Sequence, residues 1–256
     1  MTTISNIKRN AQKTLTENFS SVFSGLIWII LILLFLTSAY TLMTTFLSSY
    51  VTNSEIFLGA LIVAFILISP VLNGYFRFHL NLIKTGNAVL SDLCFYFFSV
   101  KLYFSALKLN MLFLIRMLLA AVLIYTPYKA YKLYIPDFID LNKEVFESLG
   151  WLLLCLSALI AALFFIRYFL VCFLFEEDST LPLNKYFQKS ASIMRNPSYF
   201  FEFLFMFISF IPLFISYLVV IPALYFIPFY IISLCFLGLK ILSHDKSITK
   251  IQGMDF

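Results

Sequence analysis

The sequence predicts an all-α membrane protein with about six transmembrane helices and several interfacial amphipathic helices. Its composition is the first reason, because 62% of the residues are hydrophobic and only 12% are charged, roughly half the charged fraction of a soluble domain. The second reason is the stretch from Phe203 to Leu239, which contains no Asp, Glu, Lys or Arg. As one helix it would be roughly 55 Å long against a hydrocarbon core of about 30 Å, so it predicts a hairpin of two crossings.

The first element is an amphipathic lead-in over residues 1–18. Ile4, Ile7, Ala11 and Leu15 recur at helical spacing, and the basic residues lie on the other faces. This pattern predicts a short helix on the membrane surface. The apolar run that follows is longer than the core of a signal peptide, so we do not expect a cleaved leader.

Six apolar runs bounded by polar or turn-forming residues are the predicted crossings. They lie at about 21–47, 56–78, 105–126, 149–174, 199–220 and 223–242. Pro70 in the second run and Pro228 in the sixth predict kinks, because proline removes a helical hydrogen bond. With no long connection between the runs, residues 1–256 are expected to form a single helical bundle.

Two further segments are predicted to be interfacial helices. The first, about 91–104, begins at Ser91-Asp92, which is typical of a helix start. Its apolar residues recur at helical spacing: Leu93, Phe97, Val100 and Phe104. The second, about 181–195, collects its apolar and small residues on one face: Leu183, Tyr186, Phe187, Ser190, Ala191 and Met194.

The distribution of Lys and Arg predicts the orientation. Six crossings place both termini on one side of the membrane, and most of the basic residues flank that side. The opposite side carries only Lys129, Lys132 and Lys143. By the positive-inside rule, both termini are expected to be cytoplasmic, in the plasma membrane of a bacterium.

The candidate binding residues are Arg116, Arg167, Lys108 and Asn110, because they are polar and fall within predicted crossings. A lone cation there costs about 2.5–3.5 kcal/mol or more on insertion scales, so Arg116 is expected to face the bundle, a partner or a watery cavity. One interpretation is snorkelling with hydrogen bonds to helix-terminal carbonyls. A second is a site for an anionic head group, phosphate or carboxylate, and a third is a proton or ion relay.

Acidic partners for these cations are scarce in the apolar segments. Glu202, just inside the fifth crossing, is expected to meet Lys101 or Lys108 at the inner rim. Arg116 has no evident carboxylate partner in the sequence.

Several classes of function lack support. We find no nucleophile elbow, phosphate loop, paired carboxylates or zinc-protease motif, so no catalytic residue is predicted and an enzyme is not expected. The two histidines, His79 and His244, are far apart in sequence, and we expect neither a metal site nor a cofactor. The net charge of +5 is better explained by membrane orientation than by nucleic acid, which is not an expected partner.

Three stretches carry a family resemblance. They are AQKTLTENF from Ala11 to Phe19, the segment from Pro70 to Phe98, and the second amphipathic helix, where Ser190 and Met194 match. The middle segment contributes the spacing of Gly74, Phe78 and Leu82, the Gly86 turn and the Asp92-Leu93 pair.

In these stretches the chain resembles an uncharacterised family of bacterial polytopic membrane proteins, a domain of unknown function. That family is distantly similar to the membrane domains attached to some glycerophosphodiester phosphodiesterases. The resemblance implies a six-helix bundle with interfacial helices in a bacterial plasma membrane, and it implies no activity. The chain departs from the family pattern at Asn196-Pro197-Ser198, where the family tends to have Gly and Lys.

Two functional hypotheses follow. The first is a multi-pass membrane protein that binds or moves an anionic amphiphile, a lipid or a peptide, with the intramembrane arginines holding the anionic group. The alternative is a non-catalytic accessory or scaffold subunit that recruits other membrane proteins through the helices at 1–17 and 181–195. Membrane lipids are expected partners in both.

Overall fold

The computed structural model describes residues 2–47, 53–134, 152, 163, 165–178, 181–215 and 220–244. This part of the chain is helical and contains no β-strand. We number its helices α1 (Thr2–Glu17), α2 (Phe19–Leu47), α3 (Asn53–Thr85), α4 (Val100–Tyr134), α5 (Val171–Glu177), α6 (Leu183–Ile193), α7 (Pro197–Ile215) and α8 (Val220–His244).

Four of these helices are long and apolar enough to cross a membrane. The qualifying segments are Phe19–Phe46 in α2, Glu55–Thr85 in α3, Val100–Leu119 in α4 and Tyr225–His244 in α8. Helix α7 adds a shorter apolar stretch, Pro197–Phe210. Most of the predicted fourth crossing, 149–174, lies outside the described residues. The described part of the chain is therefore all-helical, and four of its helices could cross a membrane.

The chain divides into two compact units, and the single bundle expected from the sequence stays a prediction. Unit 1 combines Met1–Leu107 with Phe201–Phe256, and unit 2 is Lys108–Phe200. Each unit is described by itself below.

Helix α8 is the most enclosed of the four long helices. More than half of the residues in its most apolar segment are buried, whereas about a fifth are buried in the corresponding segments of α2 and α3. Helices α1, α2 and α3 all pack against α8. The outer faces of α2 and α3 carry large exposed apolar side chains, among them Phe35, Phe46 and Leu58. In a membrane protein these side chains suit contact with lipid. Pro70 and Pro228 lie inside α3 and α8, which continue through them.

The apolar face of α1 is covered by other helices of unit 1, and its expected place on the membrane surface stays a prediction. Ile7, Ala11 and Leu15 are at most 2% exposed, and α1 packs against α8 and α2. Ala11 and Leu15 share a core cluster with Val22, Leu82 and Ile232. Helical periodicity predicted the buried face, but it does not distinguish a protein neighbour from a lipid one.

We expect Leu15→Ala to destabilise the protein by about 2 kcal/mol, because it leaves a cavity in this cluster. The value lies at the low end for such substitutions, since Leu15 is near the end of α1 and its neighbours can relax. The protein is heated in detergent, and size-exclusion chromatography then measures how much folded, monodisperse protein remains at each temperature. Leu34→Ala is the control, because Leu34 in α2 is 57% exposed. Equal stability of the two variants would contradict the packing of α1 on α8.

The segment 91–104 is not one interfacial helix. It forms two 3₁₀ turns, Leu90–Asp92 and Phe95–Phe97, and α4 begins at Val100. Backbone bonds three residues apart hold the turns, from Leu93 N to Leu90 O (3.1 Å) and from Phe97 N to Cys94 O (2.9 Å). The buried side chains are Leu93 and Tyr96, whose spacing of three fits a 3₁₀ turn better than the α-helical face predicted from the sequence.

These turns pack back against α3, which extends to Thr85, beyond the predicted crossing. Gly86 ends the helix with a φ of +72°, a left-handed conformation that glycine adopts without strain. Leu93 then packs on Tyr75 and Phe78. The Arg77 guanidinium lies 3.6 Å from the centre of the Phe95 ring, and its Nε is 3.9 Å from Asp92 Oδ1. The segment from Pro70 to Phe98, which carries part of the family resemblance, thus packs largely against itself.

At Gly74 the backbone of the turns lies very close to the backbone of α3. A Cβ atom built there would lie 2.1 Å from the Leu93 carbonyl oxygen and 2.7 Å from its carbon. The turns can therefore reach α3 only because residue 74 has no side chain.

Glu202 pairs with Lys240 of α8, and not with Lys101 or Lys108 as expected. Lys240 Nζ donates to both carboxylate oxygens, at 2.7 Å and 2.9 Å. The Lys240 side chain is 9% exposed and that of Glu202 is 25% exposed. Lys101 and Lys108 are exposed on α4. A cation this deeply buried needs such a partner, which explains why α7 contributes a carboxylate here.

Candidate functional site

The site is built around α6 in unit 2. Tyr186, Phe187 and Ser190 are fully buried, whereas Lys185 and Gln188 are exposed. The buried side chains belong to the apolar face that helical spacing predicts. The Tyr186 hydroxyl donates to the Asp178 carbonyl, which joins α6 to the end of α5. Asn196 Oδ1 accepts a bond from Ser198 N at 3.1 Å, and with Pro197 it starts α7 as an N-cap.

Ser190 of α6 lies at a break in helical hydrogen bonding just before α5. Its hydroxyl donates to the Arg167 carbonyl at 2.9 Å. In a continuous α-helix that carbonyl would accept from Val171 N, but Val171 N bonds to the Tyr168 carbonyl instead, at 3.1 Å. The chain therefore turns at residues 168–170, within the predicted fourth crossing. This turn places Arg167 and Tyr168 beside α6.

Three arginines line one cleft with a volume of about 270 Å³, which we call the arginine cleft. They come from three separate segments: Arg116 from α4, Arg167 from the residue before the turn, and Arg195 from the segment that follows α6. The remaining lining residues are Tyr168, Phe187, Gln188, Ala191 and Ser192.

The Arg116 side chain is held by aromatic rings. Its guanidinium carbon lies 4.0 Å from the centre of the Phe187 ring and 5.2 Å from that of Tyr168. Phe187 is also in contact with Phe113 and Tyr168. A guanidinium stacked on a ring keeps its N–H donors free at its edge, where they can bind an anion.

None of the three arginines forms an ion pair with a carboxylate among the residues that the structure describes. Arg167 and Arg195 are exposed and Arg116 is half-buried, so the cleft is open to a ligand. Gln188 and Ser192 add neutral hydrogen-bonding groups. Chemically, the cleft is suited to hold an anion.

The structure brings together only two of the four predicted site residues, Arg116 and Arg167. Lys108 is exposed, and neither it nor Asn110 belongs to the lining of the cleft. Sequence reasoning assigned Arg195 only to the basic inner face and so missed it as a site residue. A signal was present, because Gln188, Ser192 and Arg195 are spaced four and three apart and share one face of the helix predicted at 181–195.

A second depression, in unit 1, is apolar. It lies between α2 and α3, has a volume of about 320 Å³, and includes Leu36, Tyr40, Phe57 and Ala64 in its lining. Tyr40 and Phe57 meet there with their ring centres 6.3 Å apart. Both helices are candidate membrane spans, so lipid chains suit this groove, but it offers no charged group for recognition.

Comparisons of the chain with protein-family models, with curated proteins and with solved structures gave no match. The function is therefore inferred from the site itself.

Proposed function

We propose that the protein binds the anionic head group of a membrane amphiphile in the arginine cleft. The observation that carries this proposal is the convergence of three arginines from separate segments on one cleft. Without a described carboxylate to neutralise them, their mutual repulsion destabilises the site until an anion binds. The volume of about 270 Å³ is just below the usual range for pockets that enclose drug-sized ligands, about 300–1,000 Å³. It suits a head group whose chains extend outside the cleft.

The position of Arg116 also supports a site at the membrane interface. Helix α4 has 35 residues and is therefore about 52 Å long, well beyond the hydrocarbon thickness of about 30 Å. Arg116 packs on Phe187 of α6, and α6 carries an exposed polar face suited to the interface. We propose that the Arg116 guanidinium reaches toward head-group depth along α6 by snorkelling, and the mid-membrane position of residue 116 stays a prediction.

The finer topology belongs to the same proposal. We propose six crossings with both termini in the cytoplasm of a bacterium, because Lys and Arg concentrate on that side. The arginine cleft then faces the inner leaflet, where anionic lipids are available. Movement of the amphiphile is a further step that the prolines inside α3 and α8 would permit.

We expect Arg116→Gln to weaken lipid binding about 10- to 100-fold, because charge-assisted hydrogen bonds contribute about 1.5–3 kcal/mol. Native mass spectrometry of protein released from membranes measures this as loss of bound lipid relative to wild type. The variant should fold normally, since Arg116 lines an open cleft.

Lys185→Gln is the matched control. It removes one positive charge from an exposed position of α6 outside the cleft, so bound lipid should not change. Equal lipid content in all three proteins would overturn the proposed site. A protein subunit retained in stoichiometric amount with no bound lipid would instead favour the accessory or scaffold hypothesis.

A further inference from the structure

We infer that the arginine cleft selects a phosphomonoester head group over a phosphodiester. This inference rests on the proposed function and specifies its ligand. The two head groups differ in charge and in the number of terminal oxygens, and the cleft discriminates on both.

The charge of the lining is the first argument. Three guanidinium groups contribute three positive charges, and the other lining residues, such as Gln188 and Ser192, are uncharged at neutral pH. A phosphodiester lipid carries one negative charge, whereas a phosphomonoester carries about 1.5 to 2 at pH 7. The monoester therefore neutralises more of the lining, and attraction grows with the ligand's charge.

The direction of approach is the second argument. The arginines reach the cleft from α4, from the residue before the turn at 168–170 and from the segment that follows α6. A phosphomonoester presents three terminal oxygens as strong acceptors, one for each side. In a diester one of these oxygens is esterified and becomes a poor acceptor, so one arginine is left without a strong partner.

Because the position of Arg116 is fixed, the number of terminal oxygens on the ligand affects how well it binds. Its guanidinium lies against the Phe187 ring, and Phe187 is itself fully buried. The Arg167 backbone is held by the Ser190 hydroxyl. The Arg116 guanidinium is therefore positioned in advance and loses little entropy on binding, which favours a ligand with an oxygen left over for it.

The experiment uses the full-length protein in an uncharged detergent. Isothermal titration calorimetry compares phosphatidic acid with phosphatidylglycerol of the same short acyl chains, at pH 7.5 and pH 5.5. We expect phosphatidic acid to bind at least about 10-fold more tightly at pH 7.5. At pH 5.5 the preference should fall to about threefold or less, because the second pKa of a phosphomonoester is near 6.

Arg195→Gln is the informative variant, and Lys185→Gln again controls for charge. Loss of the third guanidinium should weaken the binding of phosphatidic acid more than that of phosphatidylglycerol. The ratio of the two affinities at pH 7.5 should therefore fall. Since Arg195 is exposed, the variant should fold, and the pH series on wild type tests the inference without any substitution.

Glycerol 3-phosphate and inorganic phosphate identify the source of the ligand. Weaker binding of both than of phosphatidic acid supports a lipid source, and equal binding supports a soluble phosphomonoester. Equal affinity for the two lipids at pH 7.5 would overturn the inference while leaving the proposed function intact. Failure of every anion to bind, or binding unaffected by Arg116→Gln, would overturn the proposed function itself.

Discussion

Gly74→Ala is expected to destabilise unit 1 by at least about 3 kcal/mol, enough to deplete the folded protein. The added Cβ would lie 2.1 Å from the Leu93 carbonyl oxygen, and neither group is at the end of a flexible side chain. The turns over residues 90–97 would have to move away from α3, and the packing of Leu93 on Phe78 would be lost. The measurement is the yield of monodisperse protein and its thermal unfolding in detergent.

Gly59→Ala is the matched control in the same helix. No atom lies within 4 Å of a Cβ built at Gly59, and alanine favours a helix over glycine by about 1 kcal/mol. This variant should be as stable as wild type or slightly more so. If Gly74→Ala behaved like Gly59→Ala, the close packing of the turns on α3 would be wrong.

Glu202→Gln is expected to destabilise unit 1 by about 3 kcal/mol. The substitution preserves shape but leaves the Lys240 ammonium, whose side chain is 9% exposed, without a carboxylate. Breaking a buried pair in this way costs about 3–5 kcal/mol, and the partial exposure of Glu202 places the effect at the lower end. Thermal and denaturant unfolding of the purified protein measure it.

The double variant Glu202→Gln with Lys240→Met tests the cause. Removing both charges should restore stability to within about 1 kcal/mol of wild type, since no buried ion is left unpaired. Glu17→Gln is the control for the loss of a carboxylate, because the pair that Glu17 forms with Lys13 is largely exposed and should contribute less than about 1 kcal/mol. A double variant less stable than Glu202→Gln would refute this explanation.

Much of the local structure could be predicted from the sequence because it depends on spacing within one segment. Tyr186, Phe187 and Ser190 share one face of a short helix, and the structure buries all three. The long apolar runs likewise predicted helices able to cross a membrane, and four are present in the described chain.

Contacts between distant segments could not be predicted in the same way. Glu202 and Lys240 are 38 residues apart, and nothing local indicated that Lys240 rather than Lys101 would face the carboxylate. The apolar face of α1 had the periodicity of an interfacial helix, but its neighbour is α8. Arg116 lies beside α6 through its contact with the Phe187 ring, and Arg167 through the hydrogen bond that its carbonyl accepts from Ser190, 23 residues away.

The division of unit 1 into two separate parts of the chain has a consequence for biosynthesis. Its first part, Met1–Leu107, leaves the ribosome long before its second, which begins at Phe201. Helices α1, α2 and α3 therefore enter the translocon and the bilayer before α8, the helix they enclose, has been translated. Until then the face of α1 that carries Ala11 and Leu15 lacks its partner. An incomplete chain therefore exposes apolar surface that the finished protein buries, the condition under which folding intermediates aggregate.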